Sequence, residues 1–219
     1  MNKLYLVRHG ENPANLTKEF SCRKIDYPLT PKGRLQAEQT AAYFRGKEIH
    51  EVYASSLKRA VETAGIIALD LGLEVTLMDN FRELDVGDLE EHPDLEEAWR
   101  IHFSIIQSWM NGSPETRFPG GENYYMASGR MRDGVERILG DKTDRNIIIV
   151  GHGGIFTASA IDLCPGIDLE MLKERENHNC SISEMDMYLS DGLWSGELVR
   201  WADFSHLHGE AAELVSGLP

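Results

Sequence analysis

Leu4-Tyr5-Leu6-Val7-Arg8-His9-Gly10-Glu11 is the stretch from which the fold of this 219-residue chain is read. Four apolar residues in succession, bounded by polar ones, describe a short strand covered on both faces, the kind found in parallel sheets. In open α/β sheets, ligands bind beyond the carboxyl ends of the strands. Arg8 and His9 stand at such an end, and Gly10 lets a ligand come close to the backbone. A second segment has the same form: Ile147-Ile148-Ile149-Val150 runs into Gly151-His152-Gly153-Gly154. A lone histidine is more often a satisfied structural residue. Two at equivalent strand ends, each beside glycine, point to a shared site.

Between these strands the apolar period changes from run to helix. Thr30-Pro31 is an N-cap followed by proline at the first helical position. Ala37, Ala41 and Phe44 follow at helical spacing, and Gly46 stands where that helix stops. Val52-Tyr53-Ala54 is a second short strand. Ser55 or Ser56 is placed to cap a helix carrying Leu57, Ala60, Val61, Ala64, Ile67 and Leu71. Glu74 to Leu77 is a third strand. Near the C-terminus Met185, Met187 and Leu189 alternate with polar residues, and Asp191-Gly192 predicts a hairpin into a strand from Trp194 to Trp201. The order gives a three-layer α/β/α sandwich with a mainly parallel sheet. Residues 85–120 interrupt the alternation, with Leu95, Trp99, Phe103, Ile106 and Met110 at helical spacing. They are read as a helical cap insertion over one edge of the sheet, although an ordinary packing helix fits the same residues. The expectation is one domain, 1–219.

Bulk properties narrow the function class. Apolar residues make up 42% and charged residues 26%, which is ordinary for a globular protein. No apolar run approaches the roughly 20 residues of a membrane helix, and the N-terminus has no signal-peptide pattern, so a cytoplasmic location is expected. A net charge of −14 disfavours nucleic acid and anionic membranes as partners. Three cysteines, Cys22, Cys164 and Cys180, with no close pair, form neither a disulfide framework nor a zinc knuckle. No metal and no cofactor are expected.

Global charge does not describe a pocket. Arg59, in the first turn of the helix after the second strand, can point to the same edge as Arg8. Arginine forks match phosphate oxygens two at a time, so two arginines and two histidines make an anion site inside an acidic protein. Glu83, where the alternation breaks, is suited to protonate a leaving alkoxide. A surface ion pair with Arg82 accounts for it somewhat better on these residues alone.

Taken in order, these residues resemble the histidine phosphatase superfamily, also called phosphoglycerate mutase-like. The matching segments are Leu6-Val7-Arg8-His9-Gly10-Glu11 with Asn15, Tyr27-Pro28-Leu29-Thr30 with Gly33, Gln36 and Ala37, and Ser55-Ser56-Leu57-Lys58-Arg59-Ala60 with Thr63-Ala64. Arg82-Glu83-Leu84 with Gly87, Pro119-Gly120-Gly121-Glu122, Val150-Gly151-His152-Gly153-Gly154 and Asn179-Cys180-Ser181-Ile182 follow. The glycines fit neither a dinucleotide fingerprint nor a P-loop. The resemblance implies His9 as the nucleophile, with Arg8, Arg59 and His152 holding phosphoryl oxygens and Glu83 as general acid and then base. It implies substrate contacts from Asn15, Ser21, the backbone at Cys22, and Gly153. Many relatives carry a Trp-Glu-Gly-like turn after the acid, where this chain has Asp88-Leu89-Glu90-Glu91-His92; that segment is a candidate border of the pocket. His206 and His208 are read as surface residues of a tail within reach of it.

The function expected is hydrolysis of a small phosphorylated metabolite through a phosphohistidine. The alternatives are a phosphoglycerate mutase-type phosphotransferase, which the short segment between Glu83 and His152 disfavours, and a non-catalytic module that binds phosphorylated ligands. A homodimer is compatible with all three.

Overall fold

Strands β1 (Asn2–Arg8), β2 (Glu51–Ala54), β3 (Val75–Leu77), β4 (Asn146–Gly151), β5 (Ile182–Ser190) and β6 (Leu193–Asp203) form one sheet in the order β3-β2-β4-β1-β5-β6. The computed structural model describes residues 1–167, 172 and 176–214; the parts of the expected domain at 168–171, 173–175 and 215–219 lie outside the described residues. The pairs β2–β3, β2–β4 and β1–β4 are parallel, while β1–β5 and β5–β6 are antiparallel.

Alternation along the central strands explains their unbroken apolar character. Leu4, Leu6, Ile147 and Ile149 point into one core, with residues of α5 (Tyr124–Leu139) and α6 (Gly153–Leu163). Tyr5, Val7, Ile148 and Val150 point into the other, with α2 (Pro31–Phe44) and α3 (Lys58–Leu71), while the short α1 (Pro13–Thr17) lies between β1 and α2 in the chain. Both faces are thus covered, and the three-layer α/β/α expectation holds.

Local signals set several boundaries. Thr30 Oγ1 accepts from Gly33 N with Pro31 at the first helical position, so α2 starts where expected. Asp191 and Gly192 have φ of 52° and 79°, the positive values a two-residue hairpin between right-twisted strands requires. The predicted serine cap of α3 is absent. Its N-cap is Leu57, without a side-chain bond. Ser55 Oγ is 2.8 Å from His152 Nε2, and Ser56 Oγ binds Asp79. Asp26 Oδ1 instead accepts from Lys58 N at 2.9 Å, so a carboxylate from a distant loop serves this helix terminus.

Within residues 85–120, α4 (Leu95–Met110) buries Ala98, Ile105 and Trp109 in the same core cluster as α5 and α6. The predicted stripe is met in part: Trp99 and Ile106 pack against the core, while Leu95, Phe103 and Met110 are exposed and the fully buried positions lie one residue away. The helix carries two overlapping apolar stripes, and spacing alone does not rank them. No helix among the described residues is long and apolar enough to cross a membrane.

His102 of α4 lies against Phe20 and Trp99 and stacks on Phe118 at 5.3 Å. Burial pushes its pKa from 6.5 down to about 4. Between those values the unfolded chain binds a proton that the folded chain refuses. The folded state therefore has its full stability above pH 6.5 and loses it as pH falls toward 4, on the order of 3 kcal/mol from this residue. His102→Phe is expected to shrink the difference in Tm between pH 7 and pH 5, measured by thermal unfolding of both proteins. An unchanged difference would rule out this contribution.

Candidate active site

The crevice of the sheet opens between β1 and β4, where Arg8 pairs with Gly151 and the connections leave in opposite directions. His9 and His152 emerge there side by side, His9 N donating to Gly151 O at 2.9 Å and the ring centroids 5.1 Å apart. His9 Nδ1 lies 2.7 Å from Gly10 O. Only an N–H suits a carbonyl, so the proton sits on Nδ1 and Nε2 keeps its lone pair. Arg59 Nε donates to that nitrogen at 3.0 Å, which requires the same tautomer. Burial, with the charges of Arg59 and Arg8, holds the His9 pKa well below 6.5; burial and Arg59 do the same for His152.

Arg59 is 3% exposed, and burial pulls its pKa down to about 10. Ser21 orients it, accepting from Nη1 at its hydroxyl (3.2 Å) and from Nη2 at its carbonyl (2.7 Å). Arg8 donates through Nη1 to Asn177 O, and burial lowers its pKa. Among the described residues, Arg8 Nε and His152 Nδ1 are buried with no hydrogen-bond partner.

Glu83 faces this cluster across the start of α6. Its Oε1 accepts from Leu84 N and Ile155 N, both at 2.8 Å, and its Oε2 from Gly154 N at 3.2 Å. The ion pair with Arg82 considered from sequence is not formed: Arg82 Nη2 donates to Cys22 O. A Cβ at Gly154 would stand 2.6 Å from Oε1, so glycine is needed for the carboxylate to reach the helix terminus.

Arg8, His9, Asn15, Ser21, Arg59 and Glu83 line one cavity of about 190 Å³. Asn15 Oδ1 accepts from Asn179 Nδ2 at 3.0 Å, and the same amide donates to His9 O at 3.1 Å. Gly153, Cys22 and His152, which is fully buried behind His9, are not among the lining residues. Gly153 begins α6 beside Arg8, where a Cβ would be 3.5 Å from that side chain.

The N–H of Cys22 is not turned to the cavity. It donates to Glu90 Oε1 at 2.8 Å, and the Glu90 carboxylate also accepts from Arg23, Lys24 and Ile25. Residues 88–92 do not border the pocket either. The segment lies behind the loop that carries Ser21, and buried Glu90 fastens that loop. Neither Glu90 nor Arg130, which binds the carbonyls around Glu83, stood out in the sequence, because most of their partners are backbone atoms distant along the chain.

The tail forms another wall through Phe204, Leu207 and Leu214. His206 is not a surface residue: its Nε2 is 3.0 Å from Thr40 Oγ1, and burial pushes its pKa down to about 4. His208 is exposed as expected, while its backbone pairs with Gln39.

A model of the histidine phosphatase superfamily (branch 1) matches residues 4–202. The probable phosphoglycerate mutase GpmB of Cronobacter sakazakii is 36% identical, over 97% of this chain and 98% of its own. The phosphoserine phosphatase of Entamoeba histolytica in complex with 3-phosphoglyceric acid superposes with a TM-score of 0.76 at 25% identity, over 95% of this chain and 100% of that one. A mutant of that enzyme in complex with phosphoserine gives 0.73 at 25% identity with the same coverage. The near-full-length match to a chain named a probable mutase removes chain length as an argument against the mutase reading.

Proposed function

The chain belongs to the histidine phosphatase superfamily, branch 1, and from that premise we propose that it hydrolyses small phosphate monoesters through a phosphohistidine on His9, without a metal. The observation that carries the reading is the tautomer of His9: Nδ1–H is tied to Gly10 O, so the lone pair of Nε2 lies in the pocket beside Arg59. Phosphoryl transfer is mainly positioning and stabilisation of spread negative charge, which fixed cations supply. Arg8 Nε and His152 Nδ1 are suited to phosphoryl oxygens, which relieve the cost of burying them unpaired.

In the first step Nε2 of His9 forms a bond to phosphorus as the ester oxygen leaves, and Glu83 gives that oxygen its proton. In the second step the Glu83 carboxylate takes a proton from water as the water oxygen attacks phosphorus. The bond to Nε2 breaks, and phosphate departs. The low pKa of His9 keeps the nucleophile unprotonated across the neutral range.

The test is release of phosphate from an aryl phosphate in the presence of a metal chelator, with radiolabelled phosphate trapped on the protein in an acid-labile, base-stable form. Loss of activity in the chelator, or absence of the label, overturns the reading. Glu83→Gln is expected to lower kcat for an alkyl phosphate by about 10²-fold or more, as loss of a general acid does; an unchanged kcat removes Glu83 from the mechanism.

The second reading is phosphotransfer between positions of a phosphoglycerate, favoured by the 36% identity to a chain named a probable mutase. The same pocket serves both reactions. Interconversion of phosphoglycerates outrunning phosphate release would select it.

A further inference from the structure

Glu83 does not sit on a helix or strand. It follows the 3-10 turn Asp79–Phe81, in a segment without secondary structure of its own. A general acid is useful only when its oxygen is held within hydrogen-bond reach of the atom that it protonates. Something outside that segment must therefore set the height of Glu83 above the pocket.

Arg130, on α5, makes contacts with that geometry. Its Nη1 donates to Asn80 O and to Arg82 O, each at 2.8 Å, and its Nη2 donates to Glu83 O at 2.9 Å. One guanidinium thus gathers three carbonyls of the acid segment. Glu122 fixes the guanidinium in turn, through Nε–Oε1 at 2.7 Å and Nη2–Oε2 at 3.0 Å. Oε2 of Glu122 also accepts from Asp85 N at 3.0 Å, and Glu122 N donates to Asp85 O at 2.8 Å. The segment is held on one side of Glu83 by Arg130 and on the other by Glu122. Both residues are largely buried, with 20% and 13% of their side chains exposed. Asn80 adds a return contact, Nδ2 donating to Arg130 O at 2.9 Å.

We propose that Arg130, clamped by Glu122, is a positioning residue that sets the reach of the Glu83 carboxylate toward the leaving oxygen. The proposal rests on the reading of Glu83 as the general acid. A lysine cannot replace Arg130, because a point charge on a flexible stem does not span three carbonyls as a planar fork does. Asn80, Arg82 and Glu83 carbonyls would then lose donors together, and the carboxylate would drift from its place while His9, Arg8 and Arg59 stayed in theirs.

The discriminating measurement is sensitivity to the leaving group. Nitrophenolate leaves without a proton, whereas an alkoxide does not. With Arg130→Met and Arg130→Lys, kcat/KM for glycerol phosphate is expected to fall by about 10²-fold, the scale of a lost acid. kcat/KM for p-nitrophenyl phosphate should change by less than about 3-fold, well below that same scale. Because Glu83 also serves the second step, p-nitrophenyl phosphate should give a burst of nitrophenol followed by slow turnover. Glu122→Gln, which keeps Arg130 in the fold, should give the same selectivity in weaker form and covers the case in which the Arg130 variants do not fold. An equal fall for both esters in every variant, without a burst, makes the clamp merely structural and overturns the proposal. Glu83→Gln separates the two levels. If it shows the selectivity and the clamp variants do not, positioning alone fails; if Glu83→Gln lacks it too, the acid assignment and the proposal fall together.

Discussion

His9→Ala is expected to lower kcat/KM for phosphate ester hydrolysis by at least about 10³-fold, or roughly 4 kcal/mol of transition-state stabilisation, and to abolish covalent labelling. The His9 side chain combines a bare nitrogen with a position beside Arg59 and near Arg8 and His152. Alanine leaves the cations in place, so the variant should still bind phosphate. Its thermal stability should not fall steeply, since among the described residues the imidazole makes hydrogen bonds only to Gly10 O and Arg59. Kinetics, labelling and phosphate binding together check it. A variant that retains more than a few per cent of activity would mean that another nucleophile or direct attack by water carries the reaction.

Gly33→Ala should destabilise the protein by about 3 kcal/mol or more, as forced overpacking against backbone does, and lower Tm by roughly 6–12 °C. Propensity alone argues the opposite way, since alanine in a helix is favoured over glycine by about 1 kcal/mol. Close contact decides. A Cβ at Gly33 would stand 2.1 Å from Glu11 O and 2.8 Å from Glu11 N, and one at Gly10 would stand 2.4 Å from Gly33 O. These are two backbones in contact, with no flexible side chain to move aside. The wedge would also lift the segment after His9, so activity should fall with stability. Denaturant unfolding of the purified variant is the check, and a rise in stability would refute the packing argument.

What was legible in the sequence was whatever depends on near neighbours. The apolar runs of β1 and β4, the proline start of α2 and the Asp191-Gly192 turn carry their own cause. The histidine pair was legible because both residues stand at strand ends. What failed depended on residues distant in sequence. The serine hydroxyls before α3 were engaged by His152 and Asp79. The N–H of Cys22 was engaged by Glu90, and the buried stripe of α4 shares a core cluster with Phe20 and Phe118, which lie outside the helix and its period. Arg130 was silent for the same reason: besides Glu122, its partners are carbonyl oxygens, which every residue has.

The hydrogen bond from Arg59 to His9 Nε2 has a consequence for affinity. The nucleophile and its neighbouring cation already satisfy each other, and Glu83 already satisfies the start of α6. An arriving phosphoryl group therefore displaces the Arg59–His9 contact while adding contacts at Arg8 Nε and His152 Nδ1. The bond that Arg59 gives up to make room is subtracted from what inorganic phosphate gains by staying. When it leaves, the arginine closes back on the lone pair. The resting site thus acts as a built-in competitor of its own product, which favours turnover over retention.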